Sequence, residues 1–423
     1  MSAAVPDSVE TLVHAIEQRD PALVKQLLNG TPALATRRGH WDRTGLMVAA
    51  DRGDIECVHA LLPASDPLAR DRDGLTALMF AAWKGDAGCV RALIPVSDPS
   101  ARDSEGRSAL MYAARAERTE CVRILIPVSD PRAVDERGTS ALMLAARHRN
   151  HDCVEALLPE SDPSAVDQYG GTALMWAACF GSVDCVRALL PVSDVRARKT
   201  DGTTALMAAA LSGETACVTL LLSLNDPLAT DDRGNTALMF AALSENPDCV
   251  RALLPVSDPA AVNRYGRSAL TEAAHTGARE ALDILLPVSD PLAVDRWGQP
   301  ALMKAACHED GDFVRALIPA SDPLAVDTDG YTALMIAARY GNASGLEALI
   351  PVSDVEAADS EGHTALMMAA AAGYLDCVRV LLRAGALLAV DGDGSSASDL
   401  AMQAGHHRLA KLIRRYSAAR RQA

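Results

Sequence analysis

Ten cysteines are the residues of this 423-residue sequence whose type first suggests chemistry, as zinc ligands, disulfide partners or redox thiols. Eight of them, Cys57, Cys89, Cys121, Cys153, Cys185, Cys217, Cys249 and Cys377, are spaced at multiples of 32 residues. Zinc needs four ligands converging on one point, and a disulfide needs Cα atoms within about 7 Å. Packed helices stand about 8–10 Å apart, so a row with one cysteine per layer meets neither need. The row therefore predicts small apolar core residues. Cys179 and Cys307 fall outside it and are the expected reactive thiols. So many free thiols fit a reducing compartment.

The other candidate chemistries fail on spacing. His148 and His151 lie near Asp152 and Cys153, but they fall in a turn whose cysteine belongs to the core row. His308-Glu309-Asp310 lacks the i, i+4 histidine pair of a metalloprotease helix. The aspartates of a recurring Ser-Asp-Pro turn, such as Asp98 and Asp130, are one layer apart, too far to share calcium through oxygens at about 2.3–2.6 Å. Turn formation accounts for them. No metal, no cofactor and no catalytic residue is expected, and the chain is read as not an enzyme.

What would position any site is a repeat. The tetrapeptide Thr/Ser-Ala-Leu-Met recurs with its Met at 79, 111, 143, 175, 207, 239, 303, 335 and 367, all multiples of 32 apart. Met47, Thr271 and Asp399 occupy the same slot in variant units, and a looser unit surrounds Val13. In Asp71–Arg102, Asp71 to Gly74 predicts a turn and Thr76 an N-cap. Leu78, Ala81 and Ala82 form one apolar face, and Gly85 ends that helix. Cys89, Val90, Leu93 and Ile94 form the face of a second helix, stopped by Pro95. Neither helix can bury its face alone, so stability must come from stacking.

The pattern D-x-x-G-x-T-A-L-M-x-A-A-x-x-G-x-x-x-C-V-R-A-L-L resembles the ankyrin repeat, whose usual core is T-P-L-H-x-A-A, from about Leu12 to Leu412. The resemblance implies an all-α, helix-pair solenoid with short hairpin or turn fingers. Met stands for the family's His, so packing is expected to replace the hydrogen bonds of that His. Pro95 to Pro99 replaces the usual Gly-Ala-Asp and predicts an altered loop. The expected organisation is an N-terminal capping repeat over 1–38, eleven repeats over 39–390, and a C-terminal capping repeat over 391–423 with a basic tail. The repeats leave no stretch for a catalytic domain, and the stack predicts an elongated, curved monomer.

Composition bounds the partner. A net charge of −15 argues against nucleic acid or anionic lipid as the main target. Arg408, Lys411, Arg414, Arg415, Arg420 and Arg421 are a local exception, read as a solvated helix end. Met1 to Asp20 shows no leader pattern, and no run of about 18 apolar residues occurs, so neither membrane insertion nor conventional secretion is expected. The expected location is the cytoplasm, or beyond it as an exported effector.

Recognition should sit in slots that vary between units. Only Tyr374 is aromatic among the three slots that open each second helix. The slot before the tip glycine holds Trp41, Tyr169, Tyr265 and Trp297, and the slot after Met holds Phe80, Tyr112, Trp176 and Phe240. Trp83, Phe180, Tyr331 and Tyr340 lie on the same side. In similar proteins tips and first helices line a concave groove, so these twelve are the expected partner-binding residues, aided by Arg72, Arg137, Arg233, Arg264 and Arg296. The four tip aromatics are expected to be exposed, and the four after Met are open to an alternative, packing between helices. The expected function is a protein-binding scaffold or adaptor, or else a stoichiometric inhibitor or stabiliser of one enzyme. Where Glu117, Arg149, Glu245 and Glu309 replace the glycine between helices, a left-handed turn would be strained.

Overall fold

A hydroxyl opens most repeats, Pro300 taking its slot before Ala301–Ala306. In the computed structural model, which describes residues 8–244, 246–386 and 389–422, Thr76 Oγ1 accepts from the Met79 N–H at 3.4 Å and starts the helix Ala77–Lys84. Ser140, Thr172 and Thr332 do the same in their repeats. The slot of Asp86 caps the second helix: Asp86 Oδ1 accepts from the Cys89 N–H at 2.7 Å and opens Ala87–Leu93. Pro95 then enters a 3-10 turn, Ile94–Val96, and Asp98 folds the chain back by accepting from Ser100 N–H at 2.9 Å. This is the altered loop, and the Asp row is a row of turn residues.

Twenty-six such α-helices occur among the described residues, with no strands, only isolated bridges such as Val134 with Ser140 at the fingers. The chain forms two compact units, one reaching Ser212 and including Ser223–Asn225, the other comprising Gly213–Leu222 and everything from Asp226 on. In the first, Gly45–Arg52 stacks on Ala77–Lys84 and that on Ala109–Arg115, while second helices stack on second helices. In the second, Ala333–Tyr340 stacks likewise on Ala365–Ala372. The core between is Leu, Met, Ala, Val and Cys; Leu78, Cys89, Val90 and Leu93 are fully buried. All ten cysteines are free, and the row of eight lies in the core as expected. Burial pushes the thiol of Cys57 up to about 12 and that of Cys121 to about 11, which keeps thiolate scarce at neutral pH.

Two expectations change. Packing alone does not replace the family's His: the sulfur of Met47, Met207 and Met367 lies 3.5 Å from the N–H of Thr44, Thr204 and Thr364, as a weak acceptor within the cap. And of the four non-glycine turns, Glu117 and Arg149 adopt φ of 62° and 61°, whereas Glu309 does not enter the left-handed region. The helix before it, Ala301–Ala306, stops early and Cys307 to Asp310 turn by another route. Glu245, like the side chains of Arg420 and Arg421, lies outside the described residues. Arg408, Lys411, Arg414 and Arg415 are exposed on the last helix, His407–Gln422.

One device was not legible as such. Arg38 donates to the Arg70 carbonyl at 2.5 Å, Arg70 to the Arg102 carbonyl, and Arg102 to the Val134 carbonyl at 2.6 Å. Each arginine thus ties its repeat to the next one.

Candidate recognition face

The fingertips are held because an aspartate fills most of them, with Asn263 accepting in its place at the tip of Tyr265 and Lys199 standing in the slot of one repeat. Asp167 Oδ1 accepts from the N–H groups of Tyr169 and Gly171, both at 2.8 Å, and the Tyr169 carbonyl accepts from the Thr200 N–H of the next repeat at 2.8 Å. In the second unit, Tyr265 O accepts from Arg296 N–H and Trp297 O from Thr328 N–H, at 2.8 and 2.9 Å. A tip side chain therefore projects from backbone that is held on both sides, and little backbone freedom remains to be lost on binding.

The other carboxylate oxygen of the tip reaches the residue after Met. Asp103 Oδ2 accepts from the Tyr112 hydroxyl at 2.6 Å and pairs with Arg107 Nε at 2.9 Å, while Asp167 Oδ2 accepts from Trp176 Nε1 at 2.9 Å. Burial raises the carboxyl of Asp103, but these bonds outweigh it and hold the group below the usual carboxylate range. The first helices and tips of this unit carry a run of cation–aromatic contacts. Arg43 lies 4.4 Å from the Phe80 ring centre, Arg115 5.5 Å from Trp83, and Arg147 5.2 Å from Trp176 and 5.6 Å from Phe180. Trp176 and Phe180 stack at 5.8 Å. His148 sits beside this group: burial first, then Arg147 and Arg115, hold it below its ordinary value.

The second unit is built differently. Tyr265 and Trp297 stack at 6.3 Å with planes 6° apart, and Arg296 lies 4.6 and 4.2 Å from their centres. Beneath them Lys304 is buried, paired with Asp295 Oδ2 at 2.6 Å and donating to Gln299 Oε1 at 2.5 Å. Arg267 stands 3.7 Å from Glu272 and 3.8 Å from Asp295. Burial raises the carboxyl of Glu272 against the pull of Arg267 and the bond from Asn263. Farther along, Arg339 lies 5.6 Å from Tyr331, and Tyr340 is exposed.

Among the tip aromatics, Trp41 and Tyr169 are open to solvent, at 53% and 62% exposure. Tyr265 and Trp297 are not exposed as expected but half-buried, because they cover each other and Arg296. Phe80 and Tyr112 are buried, at 4% and 7%, and so support the face from below; Trp176 and Phe240 are half-buried, and Trp83 and Phe180 are exposed. Trp41 also has a φ of 61°, uncommon for a bulky residue.

A family model described as ankyrin repeats, in sets of three copies, matches residues 12–103, 87–167, 150–231, 217–295, 288–359 and 344–420. The chain belongs to the ankyrin repeat family. No curated protein matches it. Ankyrin repeats are protein-interaction modules, typically without catalytic activity, and the face fits that use: the tip aspartates are engaged in turns, and aromatic and cationic side chains lie beside them. Among the described residues no three His, Cys, Asp or Glu side chains gather as a metal site, and no helix is long and apolar enough to cross a membrane.

The arginines of the ankyrin first helices, Arg115, Arg147 and Arg339, join the arginines expected near the tips. Their signal lies in the sequence. Trp83, Arg115 and Arg147 occupy one slot in successive repeats, so they must be neighbours in a stack.

Proposed function

We propose that this ankyrin array is a non-catalytic scaffold or adaptor that binds a protein through its fingertips and first helices. The observation that carries the reading is the series of arginines laid against aromatic rings along that face, at tips whose backbone is already fixed. Aromatic and arginine side chains bury much area for little lost entropy and dominate interface hot spots. The opposite face supports the contrast. Glu120, Asp184 and Asp248 are exposed there, and Glu120 and Asp248 pair with Arg91 and Arg251, both exposed, at 2.6 Å, contacts of small worth.

The test is capture of partners from lysate by the immobilised chain, with identification by mass spectrometry, followed by titration against the recovered partner. Trp41→Ala and Tyr169→Ala are expected to keep the melting curve and to weaken binding by about 2 kcal/mol. Tyr265→Ala and Trp297→Ala should weaken it too, with some loss of stability from the broken stack. If these variants bind normally while changes at Glu120, Asp184 or Asp248 abolish capture, the partner lies on the other face.

A further inference from the structure

Three successive repeats of the first unit enclose a cleft of about 420 Å³ on this face, and its charged groups are unevenly satisfied. Three acids line it, and all are engaged. Glu105 pairs with Arg107 at 3.0 Å, Asp135 Oδ1 accepts from the N–H groups of Arg137 and Thr139 at 2.9 and 2.8 Å, and Asp167 holds its tip and Trp176. Of the four arginines that line it, Arg107 alone is paired. Arg115, Arg137 and Arg147 line the cleft, are exposed, and form no ion pair among the described residues; Arg115 and Arg147 touch only rings. A face that leaves three guanidinium groups unmatched in a chain of net charge −15 is complementary to carboxylates.

We propose that this cleft takes an acidic, extended segment of a protein partner, with carboxylates on Arg115, Arg137 and Arg147 and a flanking apolar side chain against Tyr169 and Trp176. The inference rests on the protein-binding reading above and names the chemistry of that partner. Arg115 and Arg147 are equivalent residues of stacked helices, which stand about 8–10 Å apart, and an extended chain advances about 3.3–3.6 Å per residue, so acids about three positions apart match that pair. A nucleic acid fits less well. Its charge continues past the cleft, into a surface that is negative overall.

The test uses the full chain and fluorescein-labelled peptides carrying Glu at every third position, the same peptides with Gln, a single-stranded RNA 12-mer, and phosphatidylserine vesicles. The Glu peptide should bind at least about tenfold more tightly than the Gln peptide and weaken with salt. Arg115→Gln with Arg147→Gln, or Arg137→Gln, should cost about tenfold or more, while Arg115→Lys with Arg147→Lys, a guard against misfolding, retains part of the affinity. Arg91→Gln and Arg123→Gln, on second helices, should change nothing. Equal binding of the Gln peptide, tighter binding of RNA or vesicles through the same arginines, or equal loss at Arg91 would overturn the inference. The protein-binding reading stands or falls separately. It survives those results if Trp41→Ala and Tyr169→Ala still release the recovered partner, and falls if they do not.

Discussion

In the first unit Arg115 and Arg147 lie over aromatic rings and form no ion pair among the described residues, whereas in the second unit Arg267 and Lys304 are drawn down to Glu272 and Asp295 beneath the Tyr265–Trp297 stack. The cations stand in different slots: Arg115 and Arg147 close their first helices, where Cys307 stands in the repeat of Lys304, while Arg267 follows its tip glycine and Lys304 follows Met303. The residue after Met differs too: Tyr112 and Trp176 hydrogen-bond the tip aspartate as neutral donors, while Lys304 brings a second charge into the core. A neutral donor leaves the surface arginines free for a ligand. A buried charge binds the face to its own support instead.

The sharpest way to break this comparison is to remove the tip carboxylate on each side. Asp295→Ala strips Lys304 of its partner and leaves a buried ammonium, which should cost about 3–5 kcal/mol in denaturant unfolding. Asp167→Ala loses bonds from neutral groups only and should cost about 1–3 kcal/mol. Adding Lys304→Ile to Asp295→Ala, after the Ile336 found in the same slot, should recover more than half of the larger loss. Equal costs at the two aspartates, with no recovery, would erase the distinction between the faces.

A smaller effect follows from Glu272. Burial raises its carboxyl above the ordinary carboxylate range, so the folded state binds its proton more tightly than the unfolded chain does. That contribution is complete below the unfolded value and is lost as pH rises through the folded one. Glu272→Gln keeps an acceptor for Asn263 and removes the buried charge, so it should stabilise by about 1 kcal/mol at pH 7 and by nothing near pH 4. His275 also titrates in this region, held low by burial and then by Arg267 and Lys304; comparing variant with wild type at each pH largely cancels it. A gain that does not shrink with acid would mean that the charge of Glu272 is not what burial penalises.

The repeat made most of the fold legible. Period, caps, the cysteine and methionine rows and the glycine turns all follow from one 32-residue unit, because a residue shared by every layer can only serve the stack. The face was less legible. Its aromatic residues could be found from variation between units, but whether Phe80 is buried and Tyr169 exposed depends on what the next repeat places beside each. Arg43 covers Phe80, and no pattern within one repeat encodes that contact. The strained turns fall between these cases: Glu117 and Arg149 were placed correctly by slot, while Glu309 escapes because the helix before it is shorter.

Those two turns give the finest comparison between the units. The helices that carry Arg115 and Arg147 end at Glu117 and Arg149 with φ of 62° and 61°, while their counterparts Ala269–Thr276 and Ala333–Tyr340 end at Gly277 and Gly341 with φ of 78° and 84°. A side chain in that conformation costs about 1–2 kcal/mol, of which a glycine substitution returns part, since glycine also gains freedom when unfolded. Glu117→Gly should therefore stabilise by up to about 1 kcal/mol. Arg149→Gly relieves the same strain but deletes the bond from Arg149 Nη2 to the Gly181 carbonyl of the next repeat, 3.0 Å long, so its net effect should be close to zero. Melting of both variants, with acidic-peptide binding measured beside it, separates the outcomes. A gain at Glu117 with binding unchanged means the strain is merely tolerated; a loss of binding at Arg149 means the strained turn sets how Arg147 is presented to a partner.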